Sequence, residues 1–173
     1  MVPVFADASS IILLEKTDLF SLMLTTYHMI IPPAVLKEIT IDGTPGAKSF
    51  STQVALKRLH VMAPPENSPD DEPCGLEKLD PGERDTIRLC LFKKIRGFIL
   101  TDDGQAARWC RNKNLPFINA LLVPKILHYA ALINKEVSQK AMDRLCELGW
   151  YADNIKRFAF DCTKEQLQPF LPG

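Results

Sequence analysis

Short apolar runs alternate along this chain with segments whose apolar residues recur every three or four positions. This alternation predicts strand–helix units arranged around a parallel sheet. The apolar runs at residues 2–6, 28–31 and 98–101 predict buried strands, and shorter runs at 60–63 and 116–119 predict two more. We therefore predict the α/β fold class, with a central parallel sheet of four to five strands.

Capping and turn signals place helices between these strands. Ser9 and Ser10 are N-cap candidates for the first helix, and Thr17-Asp18 starts another helical turn. Pro33 suits the first turn of the next helix. Helices are predicted over 34–39, from Gly46 through Leu59, and over 81–94, 105–112, 121–133 and 138–148.

Two stretches fall outside the strand–helix pattern. The connection at 64–81 is rich in proline and acidic residues and has no periodicity, so we interpret it as a mobile loop or as a working lid. Residues beyond about 135 form no further strand–helix unit. We therefore predict one domain at 1–135 and a C-terminal helical appendage at 136–173, which covers apolar surface or meets a partner.

Composition limits the classes of function. The chain has 173 residues, of which 46% are hydrophobic, which is enough for a buried core. Lys plus Arg and Asp plus Glu each total 21, so the chain lacks the net charge of a dedicated nucleic-acid binder. RNA contact would need a local basic patch, and the equally weighted alternative is a solvated basic face. The candidate residues are Lys93, Lys94, Arg96, Arg108, Arg111 and Lys113.

The cysteine content and the hydropathy of the chain predict its cellular compartment. The five cysteines are widely spaced and never form Cys-x-x-Cys, which argues against zinc and for a reduced, cytosolic protein. Asp7 interrupts the first apolar stretch before a signal peptide could form, and the apolar stretch 118–133 is too short to span a bilayer. We expect a soluble cytoplasmic protein without membrane association.

Acidic residues follow two of the predicted strands. Asp7 comes after the first strand, and Asp102-Asp103 follows the strand at 98–101. In open α/β sheets, ligands bind outside the carboxyl ends of the strands, at the point where the strand order reverses. Taken singly, Asp7 and Asp103 are better explained as caps of the helices that follow them, by roughly two to one.

Further acidic residues lie on predicted helices. Glu38 could point into water, and Glu83 and Asp85 both suit the first turn of a helix. These last two are two positions apart and cannot point the same way along a regular helix, so at most one is an inner ligand. We prefer Asp85.

Taken together, these carboxylates predict a metal site. Ionised carboxylates about 5 Å apart repel each other by roughly 3 kcal/mol per pair at an effective dielectric near 20. A divalent cation held by oxygen ligands offsets this repulsion, and beside a phosphodiester it supports hydrolysis. The sequence thus predicts a metal-dependent phosphodiesterase.

The chain resembles PIN-domain proteins from Val2 to about Ile133. The matching segments are Phe5-Ala6-Asp7-Ala8-Ser9, Glu38 on an early helix, Leu79-Asp80-Pro81-Gly82-Glu83-Arg84-Asp85 with Ile87, and Leu100-Thr101-Asp102-Asp103. The resemblance is to prokaryotic PIN proteins with a Gly-Glu-x-acid helix start and an Asp-Asp pair, distinct from the best-studied VapC-type toxins. It implies a three-layer α/β/α fold.

The resemblance also implies a function. It implies an endoribonuclease dependent on Mg²⁺ or Mn²⁺, often the toxin of a toxin–antitoxin pair, with RNA as substrate, an antitoxin as partner and frequent homodimerisation. On this interpretation the catalytic residues are Asp7, Glu38, Asp85 and Asp103. The metal ligands are Asp7, Asp85, Asp102 and Asp103, and Glu83, Ser9 and Thr101 are additional candidates.

Two other functions stay open. A PIN-like domain could retain the acids and act as a binding or regulatory module for RNA or protein without turnover. Phosphoryl transfer through an aspartyl intermediate is disfavoured, because Asp7 lacks a second Asp two residues later and the Asp-Asp pair follows the fourth predicted strand.

Overall fold

The fold is organised by one parallel sheet between two layers of helices. The structure is a computed structural model, and it describes residues 1–65, 73–93 and 97–172. Within these residues the sheet has five strands in the order β3-β2-β1-β4-β5, and all paired neighbours are parallel. The strands are β1 (Pro3–Ala6), β2 (His28–Ile31), β3 (Leu59–Val61), β4 (Phe98–Leu100) and β5 (Phe117–Ile118). The predicted three-layer α/β/α fold is confirmed.

Helices connect the strands and form the C-terminal extension. In chain order they are α1 (Ala8–Lys16), α2 (Phe20–Thr26), α3 (Pro33–Ile39), α4 (Ala47–Ala55), α5 (Pro81–Lys93), α6 (Gly104–Asn112), α7 (Val123–Tyr129), α8 (Lys135–Leu148), α9 (Asp153–Asp161) and α10 (Lys164–Leu167). Short 3-10 turns cover Leu76–Lys78, Ala120–Leu122 and Gln168–Phe170. Of the predicted connection at 64–81, residues 66–72 lie outside the described residues.

Alternating side chains of the strands build a core on each face of the sheet. Val4 and Ala6 face one way and pack in the larger cluster, with α1, α2, α7 and α8. Phe5 between them packs on the opposite face, with α5 and α6. Because successive side chains of a strand point to opposite faces, a strand covered on both sides must be apolar throughout. Each fully buried side chain of this size stabilises the fold by about 1.5–3 kcal/mol.

Several helix boundaries differ from the sequence prediction, and local backbone geometry explains them. The first helix is capped by Asp7 and not by Ser9 or Ser10. The helix predicted to run through Leu59 ends at Ala55, and Lys57 then has a left-handed φ of 56°. The helix predicted over 121–133 consists of a 3-10 turn followed by α7, and the left-handed Ala131 (φ 60°) follows its end.

The C-terminal extension packs on the same core as the sheet. Met142 and Leu145 of α8 are buried in the larger cluster. The Tyr27 hydroxyl donates to the carbonyl of Phe170 at 2.8 Å, and the Phe170 ring stands edge-on to the ring of Phe98 at 5.2 Å. Val123, Ile126 and Leu127 of α7 are likewise buried inside the molecule. The division at residue 135 stays a prediction.

Gly97 gives a test of the packing between β1 and β4. A Cβ at Gly97 would lie 2.6 Å from the backbone oxygen of Pro3, which cannot move without disturbing the paired strands. We expect Gly97→Ala to lower the free energy of unfolding by about 1–3 kcal/mol in urea denaturation. The control is Gly104→Ala, since a Cβ there meets nothing within 4 Å. Equal stability of the two variants would contradict this account.

Candidate active site

The strand order creates a crevice between the carboxyl ends of β1 and β4. The chain winds from β1 to β2 and β3 on one side and returns through β4 on the other side of β1. This reversal is the point at which open α/β sheets bind ligands. Asp7 directly follows β1, and Asp102 and Asp103 follow Leu100 and Thr101 at the end of β4.

Asp7 is the buried centre of this crevice, with a relative exposure of 2%. Its Oδ1 accepts the backbone N–H of Ser10 at 2.9 Å and the hydroxyl of Ser9 at 3.0 Å. Its Oδ2 accepts the hydroxyl of Thr101 at 2.6 Å. Burial raises the pKa of Asp7, and the hydrogen bonds from Thr101, Ser10 and Ser9 oppose that rise. Asp7 is therefore both the N-cap of α1 and a fixed carboxylate.

A cavity of about 200 Å³ opens beside Asp7. Its walls come from the start of α1, from α3 and from the start of α5. The lining residues are Asp7, Ala8, Ser9, Glu38, Asp80, Pro81, Gly82 and Glu83. A Cβ at Gly82 would lie 2.6 Å from Oε1 of Glu38, so the glycine lets α5 approach the carboxylate of α3.

The carboxylates around the cavity influence one another electrostatically. Burial raises the pKa of Glu83 to about 7, and the negative charges of Asp103, Asp7 and Asp80 add to the rise. Burial also raises the pKa of Glu38, with further contributions from Asp7 and Asp80. Like charges in a partly desolvated site disfavour ionisation. The surroundings of the cavity thus do not fully stabilise the ionised forms of the carboxylates that line it.

Asp103 stands at the rim of this group. Its Oδ1 accepts the backbone N–H groups of Gln105 and Ala106, both at 2.7 Å, so it caps α6. Its own N–H donates to Oγ1 of Thr101 at 3.2 Å, which links it to the threonine that holds Asp7. Asp103 is therefore the helix cap that the sequence offered as an alternative to a site residue. Its negative charge also contributes to the raised pKa of Glu83.

Asp102 faces the C-terminal extension. Its Oδ2 accepts the N–H of Ala120 at 3.0 Å, and its Oδ1 accepts the hydroxyl of Tyr151 at 2.5 Å. Burial and the charge of Asp7 raise the pKa of Asp102 to about 6, and the hydrogen bonds from Tyr151 and Ala120 oppose the rise. Asp102 does not line the cavity.

Helix α5 brings Glu83, and not Asp85, to the cavity. At 3.6 residues per turn, two positions turn the direction of a side chain by about 200°. Asp85 accordingly points elsewhere and lies 3.5 Å from Nη1 of Arg88. The preference for Asp85 as the inner ligand therefore lacks support from the geometry. Which of the two acids is the inner ligand stays a prediction, and the geometry favours Glu83.

The described residues of the predicted basic patch do not line the cavity. Arg108 and Arg111 are exposed on α6, and Nζ of Lys113 lies 5.8 Å from the centre of the Trp109 ring. Lys94, Arg96 and the side chain of Lys93 lie outside the described residues. The role of this patch in RNA binding stays a prediction.

Three residues near the site were not assigned a site role from the sequence. Asp80 lines the cavity, and it stands within the Leu79–Asp85 segment that suggested the family, so a signal was available. Ser10 donates its backbone N–H to Oδ1 of Asp7 at 2.9 Å, and its buried hydroxyl has no hydrogen-bond partner among the described residues, although the sequence marked it only as a helix cap. Tyr151 is 49 residues from Asp102 along the chain, and no local pattern could have paired them.

The donor set suits a hard divalent cation. Carboxylate oxygens are the ligands that Mg²⁺ and Mn²⁺ prefer. The raised pKa values of Glu38 and Glu83 show a cluster of negative charge that a cation would relieve. Within the described parts of the chain, no three His, Cys, Asp or Glu side chains already stand close enough together to enclose an ion. The residues fit the ion in their chemistry, and binding would draw the carboxylates closer.

A family model described as a PIN domain, DUF3368, matches residues 3–156. The chain belongs to the PIN-domain family. Neither the curated proteins nor the solved structures contain a significant match to it. In the portion of the chain that the structure covers, no helix has both the length and the apolar character needed to cross a membrane.

The electrostatics of Glu83 predict an unusual dependence of stability on pH. With a pKa of about 7 in the fold, Glu83 keeps its proton above the pH at which the unfolded chain has lost it. The folded state then binds more protons, so stability falls as pH rises between about 4.5 and 7. We expect this fall in urea denaturation of the wild-type protein in EDTA.

Two variants isolate the effect. Glu83→Gln should be more stable than wild type at about pH 7.5, by on the order of 1 kcal/mol after allowance for solvent screening, and equal to it at about pH 4.5. Glu136→Gln, on the exposed face of α8, should show no such pH-dependent gain. A Glu83→Gln variant that is less stable than wild type at pH 7.5 would refute the proposed repulsion.

Proposed function

We propose that this protein is a metal-dependent endoribonuclease that hydrolyses phosphodiester bonds of RNA. The observation that supports the proposal best is the cavity at the β1–β4 crevice, which Asp7, Glu38 and Glu83 line and where the charge of Asp7 acts on both glutamates. Membership of the PIN-domain family supports a nuclease.

Asp7, Glu38 and Asp103 are the residues that would hold Mg²⁺ or Mn²⁺. The ion, when bound, lowers the pKa of water and stabilises negative charge on the transferring phosphoryl group. Thr101 and Ser9 keep the Asp7 carboxylate in place through the hydrogen bonds to its two oxygens. Because this carboxylate is held in advance, little reorganisation is needed when substrate binds.

Glu83 is the group best suited to accept a proton at neutral pH. Its pKa is about 7 in the metal-free protein, and a bound cation would lower it, so that the carboxylate is ionised and able to accept a proton at neutral pH. In this scheme a water molecule attacks phosphorus in line with the bond to O3′ and gives its proton to the Glu83 carboxylate. The bond from phosphorus to O3′ then breaks, O3′ takes up a proton from solvent water, and Glu83 returns its proton to solvent, so the products carry a 5′-phosphate and a 3′-hydroxyl.

We extend the proposal to a toxin that acts with an antitoxin protein, since ribonucleases of this family often occur in such pairs. A small neighbouring reading frame with a DNA-binding start would support this role. The proposed location is the cytoplasm, in keeping with the absence of disulfides among the five cysteines.

The second candidate is a PIN-like module that binds RNA or protein without turnover. It is favoured by one observation, that the described carboxylates do not yet enclose a metal position. The two candidates differ in their response to EDTA, which would abolish cleavage and leave simple binding intact.

RNA cleavage assays in the presence of Mn²⁺ test the proposal and compare how much each acidic residue contributes to the rate. We expect Glu83→Gln to lower the rate by roughly 10²–10⁴-fold, because the proton acceptor is lost. The double variant Asp7→Asn with Asp103→Asn should be inactive. Asp85→Asn is the matched control on the same helix, and its rate should stay near wild type because Asp85 neither lines the cavity nor, unlike Asp103, contributes to the raised pKa of Glu83.

Two results would contradict this assignment. Cleavage that survives the Asp7→Asn, Asp103→Asn double variant would exclude the β1–β4 crevice as the site of reaction. A loss of rate in Asp85→Asn equal to that in Glu83→Gln would restore Asp85 as an inner ligand.

A further inference from the structure

The segment between α8 and α9 is fixed against the active-site crevice by Tyr151. The tyrosine hydroxyl donates to Oδ1 of Asp102 at 2.5 Å. Its ring lies against Gly149, where a Cβ would approach the ring carbon Cε2 to 2.5 Å. Gly149 and Ala152 on either side have extended backbone conformations. The C-terminal extension therefore places this segment beside the carboxyl end of β4.

The neighbouring residue, Trp150, is turned the other way. Its side chain is fully exposed, with a relative exposure of 103%, whereas Tyr151 is partly buried. The exposed indole of Trp150 leaves a large apolar surface in water. The next residue along the chain, Tyr151, contacts Asp102. Trp109, the other tryptophan of the chain, is buried and donates to the carbonyl of Cys74.

The groove around Trp150 combines apolar residues with the charged residues Glu147 and Lys156. The groove beside it has a volume of about 550 Å³ and is also lined by Cys146, Glu147, Tyr151 and Lys156. Within the described residues, no other large exposed apolar side chain lines this groove. Stable protein interfaces bury at least about 1,000 Å² around an apolar centre, and a single indole does not supply one.

We propose that Trp150 stacks on a base of the RNA substrate. An exposed indole offers a flat face to any base, and Lys156 in the same groove offers a positive charge to the backbone phosphates. Because Tyr151 fixes the segment beside Asp102 at the end of β4, a strand bound in the β1–β4 crevice and extending past that end would meet Trp150. The inference rests on the proposed ribonuclease function and assigns to the extension a part in binding the substrate.

Tryptophan fluorescence tests the stacking directly, because Trp150 and Trp109 differ in exposure. The full-length protein is titrated in EDTA with a mixed-sequence RNA of about 12 nucleotides, a length within the range that single-strand binding sites cover. We expect the RNA to quench the emission of Trp150 and to protect it from acrylamide. The same titration of the Glu83→Gln variant in Mn²⁺ repeats the measurement with the metal present.

Substitutions measure the contribution to affinity. Trp150→Ala should weaken RNA binding by roughly 5- to 100-fold, and Trp150→Phe should retain most of the affinity, because a phenyl ring still stacks. In cleavage, Trp150→Ala should raise KM by a similar factor and change kcat little. Phe92→Ala is the control, since Phe92 is an exposed aromatic residue on α5, at 56% exposure, that does not line the groove.

The outcomes separate this inference from the proposed function. If the wild-type protein fails to cleave RNA with Mn²⁺, the ribonuclease proposal fails, whereas quenching by RNA would still support stacking. The stacking proposal is overturned if RNA quenches neither sample, or if Trp150→Ala binds RNA as wild type does. It is also overturned if Trp150→Ala changes the oligomeric mass in solution with RNA affinity unchanged, because Trp150 would then be a protein contact.

Discussion

The concentration of negative charge at the β1–β4 crevice is the constraint on which the site depends. Asp7 is buried and yet surrounded by donors, so its carboxylate is held in one position by hydrogen bonds to both oxygens. Glu38 and Glu83 approach from α3 and α5, and burial, with a further contribution from the charges of neighbouring aspartates, raises the pKa of both glutamates. A fold that keeps such a cluster without a cation gives up stability at neutral pH. This loss of stability is explained if the carboxylates bind a cation or take part in a proton transfer.

The fold delivers these side chains through ordinary local rules. Parallel strands place their carboxyl ends at one edge of the sheet, and the reversal of strand order leaves room between β1 and β4. Asp7 and Asp103 also cap the helices that begin there, so capping and chemistry use the same residues. Gly82 allows α5 to approach Glu38, which closes the third side of the cavity.

Local sequence patterns predicted most of the fold. The features that the sequence did not predict depend on contacts between residues that are far apart along the chain. The strands and the parallel sheet followed from apolar runs that are buried on both faces, because such runs leave few alternatives. The choice between Glu83 and Asp85 required the rotation of α5 about its own axis, which depends on packing against α3 and the sheet. The bond from Tyr151 to Asp102 joins residues 49 positions apart, and periodicity carries no information at that distance. Local geometry at Lys57 and Ala131 likewise ended two helices earlier than their apolar patterns suggested.

Calorimetric titration of the metal-free protein with Mn²⁺ at pH 7, in buffers of different ionisation enthalpy, tests the central claim most directly. If the cation enters the carboxylate cluster, Glu83, with its pKa of about 7, should release about half a proton on binding. We predict saturable binding with this release, and most of the release should disappear in Glu83→Gln. The absence of saturable binding, or binding with no release of protons, would contradict the account.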